Sequence, residues 1–216
     1  MGQEKLEIVI VDYDMGNVRS VAKAFEYLGA SAIVSRDSEV IKNATHIVLP
    51  GVGAYGDGMK NLREFALIEP LTTAVLVEKK PFLGICLGMQ LIARESDEFG
   101  KHAGLGWLDA EVKQFALPGS SLKVPQVGWN DLQFTQTVSP LFKNIAAGTD
   151  FYFVHSYHMV CANPAEVVAT AEYGLQFVAA VQKENIFATQ FHPEKSQKVG
   201  LTILENFIAL GSPWNV

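Results

Sequence analysis

The chain has 216 residues, 49% of them apolar, and a net charge of −6. That is enough for one substantial domain, 1–216, with a core of its own. The mild acidity argues against the basic surface of a nucleic-acid partner or a membrane-surface protein, and no apolar run approaches bilayer-spanning length.

In chain order, polar Met1–Glu7 does not read as a signal peptide. Leu6–Asp12 is a continuous β-branched run, the pattern of a strand buried on both faces. Asn17 is placed as the N-cap of a helix on which Val18, Val21, Ala22, Phe25 and Leu28 recur, with Gly29 ending it. Short strands are expected at Ser31–Ser35 and Thr45–Leu49, the second closed by Pro50-Gly51. Asp57 to about Lys79 reads as helix interrupted near Pro70, followed by a buried strand at Phe82–Ile85 and a helix from about Leu87 to Glu95. These are βα units feeding a parallel sheet.

Beyond residue 100 the pattern changes to short strands between turn signals. They are expected at Val112–Phe115, Leu122–Val124, Asp131–Thr135, Phe151–Val154, Val167–Glu172, Phe177–Gln182 and Ile186–Gln190. Gln197–Leu210 closes the chain as an amphipathic helix, with Val199, Ile203, Phe207 and Leu210 on one face. The expected architecture is an α/β fold: an open, mainly parallel sheet flanked by helices, with an added and largely antiparallel layer. The reactive site of such a sheet lies at the C-terminal ends of its strands.

Two cysteines, Cys86 and Cys161, are too few for a disulfide scaffold or a cysteine zinc cluster, so no metal or cofactor is expected and the compartment expected is the reducing cytoplasm. Gly84-Ile-Cys86-Leu-Gly88 lies between an apolar strand and a helix, which is a nucleophile elbow with sulfur as the attacking atom. Strand and helix cross closely there, so the residues two before and two after must be small. The free N–H groups of the next helix favour the thiolate. Cys161, in Met159-Val-Cys-Ala with no flanking glycine, reads as an ordinary small apolar residue.

A nucleophilic thiol needs a base, and the base needs an orienting partner. Five histidines compete: His46, His102, His155, His158 and His192. His46 and His102 read as structural or solvated. His192 directly follows a strand in Gln190-Phe-His192-Pro-Glu194, where Pro193 stiffens the backbone and the carboxylate two residues on can accept the second ring N–H. Pro50-Gly51-Val52-Gly53 can present backbone N–H groups to a developing oxyanion.

These three segments, in this order and spacing, resemble the signatures of class I glutamine amidotransferases. Asp12-Tyr-Asp-Met-Gly-Asn17, Pro125-Gln-Val-Gly-Trp-Asn130, Phe153-Val-His-Ser-Tyr157 and His192-Pro-Glu-Lys-Ser196 are similar to further motifs of the glutaminase subunits of imidazole glycerol phosphate synthase. The resemblance runs from about residue 6 to residue 210. It implies that Cys86 attacks the side-chain amide of glutamine, that His192 is the base and Glu194 its orienter, and that N–H groups near Val52 and Leu87 form the oxyanion hole. It further implies a peptide flip in the Pro-Gly-Val-Gly strand to complete that hole. Gly53, Gln90, Glu98, His155, Ser156 and Tyr157 match positions that hold glutamine, while Trp129, Asn130, Tyr152 and Lys195 match positions facing a synthase subunit. The implied partner is a (β/α)₈ cyclase of histidine biosynthesis, joined in a heterodimer. Two departures, Asp14 for an expected glycine and Gln126 for an expected histidine, bear on the partner rather than on the triad. Alternatives are the same glutaminase serving a sugar-modifying synthase, a glutamine-sensing subunit without catalysis, and a free-standing cysteine hydrolase.

Overall fold

A computed structural model describes residues 6–211 and 214; of the polar start, Met1–Lys5 lie outside the described residues. The first half folds as β1 (Ile8–Val11), α1 (Val18–Tyr27), β2 (Ala32–Ser35), α2 (Ser38–Asn43), β3 (His46–Gly51), α3 (Tyr55–Glu64), α4 (Ile68–Thr72), β4 (Phe82–Cys86) and α5 (Leu87–Leu91). The second half supplies β5 (Glu95–Ser96), β6 (His102–Ala103), β7 (Ala110–Gln114), β8 (Gln126–Asp131), β9 (Gln133–Phe134), β10 (Asp150–His155), β11 (Tyr157–Cys161), β12 (Val167–Glu172), β13 (Gln176–Lys183), β14 (Ile186–Thr189) and α6 (Gln197–Ile208).

Eight strands form one sheet in the order β2-β1-β3-β4-β14-β13-β12-β9. The pairs from β2 to β14 are parallel, and those from β14 to β9 antiparallel. Part of the expected antiparallel layer thus continues the main sheet edgewise. The rest stands apart, as the β10-β8 pair and the four-stranded β11-β7-β5-β6 sheet. Side chains alternate between two cores. Val9, Val11, Ile47 and Leu49 face one; Ile8, Ile10, Val48, Leu83 and Ile85 face the other. The unbroken β-branched runs at β1 and β3 follow from that double burial.

Several elements differ from their sequence reading. β3 does not stop at Leu49 but runs on through Pro50-Gly51, pairing Gly51 with Cys86. Pro50 is tolerated because β1 has already ended on that side of β3, so no ladder bond needs its missing N–H. The long helix breaks at Phe65–Leu67, where Ala66 takes φ 53°, and not at Pro70, which sits in the first turn of α4. A first-turn proline lacks only an N–H that has no intrahelical partner. The helix after Cys86 ends at Leu91, and Glu95 already belongs to β5. Leu122–Val124 is not a strand; β8 begins at Gln126. Neither α2, capped by the Asp37 carboxylate accepting from the Glu39 N–H at 2.8 Å, nor β11 was signalled by periodicity.

The crossing of α5 over the sheet depends on glycine. A Cβ on Gly88 would lie 1.7 Å from the Leu49 carbonyl oxygen, and one on Gly84 would lie 2.9 Å from the Gly88 backbone. Gly88→Ala is therefore expected to destabilise the protein by about 1–3 kcal/mol or more, as overpacking against rigid backbone does. A urea midpoint equal to wild type would show that α5 is not seated as described.

Candidate active site

Cys86 ends β4 and begins the turn into α5 with φ 55° and ψ −106°. It is 6% exposed. Its Sγ lies 3.8 Å from the Val154 carbonyl oxygen and 3.7 Å from Gln190 Nε2, which donates toward it. Leu87, as the first residue of α5, presents an N–H that has no partner within the helix. Cys161 provides the contrast: burial pushes its thiol up to about 12, so it stays protonated.

The β14 strand ends at Thr189, and the chain then turns so that His192 and Glu194 follow within one short helical turn, Pro193–Lys195. Both side chains are fully buried, and His192 Nδ1 donates to Glu194 Oε1 at 2.7 Å. This bond occupies Nδ1 and leaves Nε2 as the ring nitrogen open to another partner. Nε2 has no hydrogen-bond partner among the described residues. Burial pulls the His192 pKa down, but Cys86 and then Glu194 outweigh it, so that it is pushed up to about 9. Burial also opposes ionisation of Glu194, yet the bonds from His192 and Asn17 hold this carboxyl below the ordinary range.

In front of Cys86 opens a cavity of about 370 Å³. Gly53, Gln90, Glu98, His155, Ser156 and Tyr157 all line it, together with Val52 and Leu87. The structure thus collects into one wall all six residues that the resemblance placed around glutamine. Glu98 is anchored by the Tyr55 N–H at 2.6 Å, and burial raises its pKa. His155 Nδ1 donates to the Tyr157 carbonyl at 2.7 Å, and burial lowers its pKa to about 4, leaving a neutral ring with a free Nε2. Gln90 donates to the Tyr157 carbonyl at 2.9 Å and to Gln190 Oε1 at 3.0 Å. Gln190 thereby links the pocket wall to the sulfur.

Other expected positions fall around this cavity. Lys195 lines it, with Nζ 5.9 Å from the Tyr152 ring centroid, and Tyr152 meets Trp129 edge-on at 6.0 Å. Trp129 is 48% exposed. Asn130 turns to the opposite face of β8 and donates to the Glu172 carbonyl at 2.7 Å. Gln126 is buried, opposite His155 in the β8–β10 ladder, so this departure sits behind the cavity wall rather than on a surface. The Val52 N–H donates to the Met15 carbonyl at 2.9 Å, so it is engaged away from any oxyanion. His46 is structural: its Nε2 meets the Leu210 carbonyl at 3.1 Å, and burial lowers its pKa to about 4. Among the described residues no group of three or more His, Cys, Asp or Glu could hold a metal ion, and no helix is long and apolar enough to cross a membrane.

Sequence reasoning missed two contributors. Gln190 was visible only as part of the segment around His192. Asn17 stands at the N-cap position of α1, but it has φ 65° and its side chain caps nothing; it reaches Glu194 instead.

Known proteins resemble this chain along most of its length. Residues 9–210 match the family described as Glutamine amidotransferase class-I. The chain is 49% identical over 203 residues to Imidazole glycerol phosphate synthase subunit HisH 1 of Campylobacter jejuni (strain RM1221), covering 94% of this chain and 100% of that protein. It is 50% identical over 204 residues to the HisH subunit of Syntrophotalea carbinolica, covering 93% and 98%. Among solved structures, PurLQS from Thermotoga maritima shares the fold with a TM-score of 0.71 and 22% identity, covering 94% of this chain and 98% of that one. The chain belongs to the class I glutamine amidotransferase family.

The electrostatics of the site are open to a direct check. Removing the sulfur in Cys86→Ala takes away the largest influence raising the His192 pKa and leaves the burial that lowers it. The His192 pKa should fall from about 9 toward or below the ordinary value of about 6.5. An NMR titration of the His192 ring that still centres near 9 in this variant would refute the coupling.

Proposed function

We propose that this class I glutamine amidotransferase is the glutaminase subunit of an imidazole glycerol phosphate synthase, acting in the cytoplasm with a separate (β/α)₈ cyclase as its partner. The observation that carries the reading is the cavity. It gathers Cys86 with a carboxylate, Glu98, suited to an α-ammonium group, and with neutral polar groups suited to a carboxamide substrate. The identity to HisH subunits along nearly the whole chain supplies the acceptor chemistry.

In the proposed reaction the Cys86 thiolate attacks the carboxamide carbon of glutamine, and the carbonyl oxygen takes the negative charge. His192, as imidazolium, gives its Nε2 proton to the leaving nitrogen, so ammonia departs and a γ-glutamyl thioester remains. The neutral imidazole then takes a proton from water, hydroxide attacks the thioester, and glutamate leaves as the thiolate re-forms. Glutamine and water become glutamate and ammonia, and the cyclase takes the ammonia. Glu194 keeps the imidazole in one orientation through both steps. Leu87 N–H is one oxyanion donor. Val52 N–H becomes the second once its peptide leaves the Met15 carbonyl. A properly placed donor is worth about 10²–10³ in rate. Trp129, Tyr152 and Lys195 lie toward the proposed cyclase contact, whereas the Asn130 side chain is turned to the other face of β8 and held by the Glu172 carbonyl.

Two outcomes test this assignment. Cys86→Ala should lose glutamine hydrolysis by on the order of a millionfold, while the cyclase complex of Cys86→Ala or His192→Ala still makes product from ammonium salts at raised pH. Failure of ammonia to support synthesis would break the division of labour. The second outcome concerns coupling. Glutamine turnover should be slow in the isolated chain and rise by about 10²–10³ when the cyclase carries an acceptor analogue, because the partner then favours the rotated Val52 peptide. Equal turnover with and without partner and analogue would exclude that coupling.

A further inference from the structure

The loop between β1 and α1, Asp12–Asn17, is fastened along its length. Arg36 Nη2 donates to Asp12 Oδ2 at 3.0 Å, and Arg36 also pairs with Asp14. Its guanidinium lies 4.2 Å from the Phe65 ring centroid. Asn61 Nδ2 donates to the Tyr13 carbonyl at 2.9 Å. Asp14, Gly16 and Asn17 all take positive φ, at 60°, 66° and 65°. Left-handed backbone is adopted more readily by Asn and Asp than by other non-glycine residues, and here it turns the Asn17 amide away from the end of α1. Asn17 Nδ2 lies 2.6 Å from Glu194 Oε1 and 3.5 Å from His192 Nδ1. The same carboxylate oxygen receives the His192 bond at 2.7 Å, and Glu194 Oε2 has no partner among the described residues.

We infer that Asn17 is a positioning residue for catalysis, its side-chain amide holding Glu194 in the orientation that aligns His192 with Cys86. The argument rests on the proposed glutaminase reaction and adds a fourth member to its relay. A buried carboxylate with one unpartnered oxygen can rotate about its terminal torsion, and His192 alone does not prevent this, because the imidazole can follow. A second donor on Oε1, fixed to a different element, removes that freedom. Asn17 suits the task because its amide donates at every accessible pH and adds no charge beside the buried ion pair. It also comes from the opposite side of the site, 177 residues away in sequence, so it ties α1 to the turn after β14.

The test uses the chain in complex with its cyclase, with Cys86→Ala as reference. Wild-type turnover that disappears in Cys86→Ala keeps the proposed function standing, so results at position 17 bear on the positioning role alone. Asn17→Ala should lower kcat for glutamine roughly ten- to hundredfold, the worth of a hydrogen bond to a charged group. KM should stay close to wild type, because the cavity wall is untouched, so the loss falls on kcat. Asn17→Asp keeps the shape and exchanges the donor for a carboxyl group. Two carboxyls this close share one proton: while the proton is held, the introduced group still donates to Glu194, and once it is lost the two repel. The kcat of Asn17→Asp relative to wild type should therefore fall as pH rises. A space-filling role would leave that ratio near one and flat with pH. Either that flat ratio, or an Asn17→Ala kcat within twofold of wild type, overturns the inference, and the first readout stands even if Asn17→Ala fails to fold.

Discussion

The close approach of Gly88 to the Leu49 carbonyl is the contact from which the rest of the site is built. α5 has only five residues, far below the length at which a helix is stable alone. Packing therefore holds it in place: Leu87, Met89 and Leu91 are buried in the core beneath the sheet. Because a missing side chain lets α5 come this close to β3, the turn from β4 must be abrupt, and Cys86 at its tip is driven to positive φ. The parallel register then fixes everything around the sulfur. Gly51 lies beside Cys86 on one flank and Thr189 beside Ile85 on the other, so the Pro50–Gly53 segment and the His192 turn leave the sheet on either side of Cys86.

What burial takes away, the charged groups must return to one another. His192 is fully buried, and burial alone would leave it neutral; it holds its proton because Cys86 and Glu194 outweigh the lost hydration. Glu194 stays ionised against the same cost through His192 and Asn17. An isolated buried charge costs far more than such a set, so breaking one member exposes the others to the full desolvation penalty. This makes the row from Cys86 to Asn17 a single electrostatic unit, and effects of substitutions along it are expected to be non-additive.

The legible part of this protein was the part written in local pattern. β1 and β3 are legible as buried runs rich in β-branched residues, β4 as a short apolar run, β12 to β14 as short strands between turn signals, and the elbow as two glycines at fixed spacing around a cysteine. Elements whose reasons are tertiary were misread. α5 seemed longer because Leu87–Arg94 has helical apolar spacing, but the chain leaves the helix to feed β5 beside β7. Pro70 looked like a breaker, and the true break at Ala66 carries no such residue. Asn17 occupies an N-cap position, so sequence assigned its side chain to the nearest helix, whereas its actual partner is 177 residues away. The cavity residues Gln90, Glu98 and His155 were legible only through resemblance, since nothing local marks them as convergent.

The loop Asp12–Asn17 touches both halves of the machinery, and this bears on how the site can change state. At Met15 it accepts from the Val52 N–H, the proposed second oxyanion donor; at Asn17 it donates to Glu194. Rotation of the Val52 peptide breaks the first contact and leaves the second in place, provided the loop does not move. Arg36, Asp12 and Asp14 give it reason not to, and Asp14 stands where glycine was expected, adding an ion pair on the exposed side of the loop. The freedom has to lie instead in the strand. Gly53 already has φ 111°, a region open to glycine, with Met15 against it. Gly51 is enclosed by the Tyr13 hydroxyl and Leu87, where a Cβ would come within 2.0 Å of that oxygen. The Val52 N–H belongs to the Gly51–Val52 peptide, so its rotation is taken up by ψ of Gly51 and φ of Val52, and the absent Cβ of Gly51 both makes room for Tyr13 and spares that rotation a side-chain clash. In the proposed mechanism a fixed loop and a rotating Gly51–Val52 peptide would let the second oxyanion donor swing in and out while the contacts of Glu194 with His192 and Asn17 stay in place.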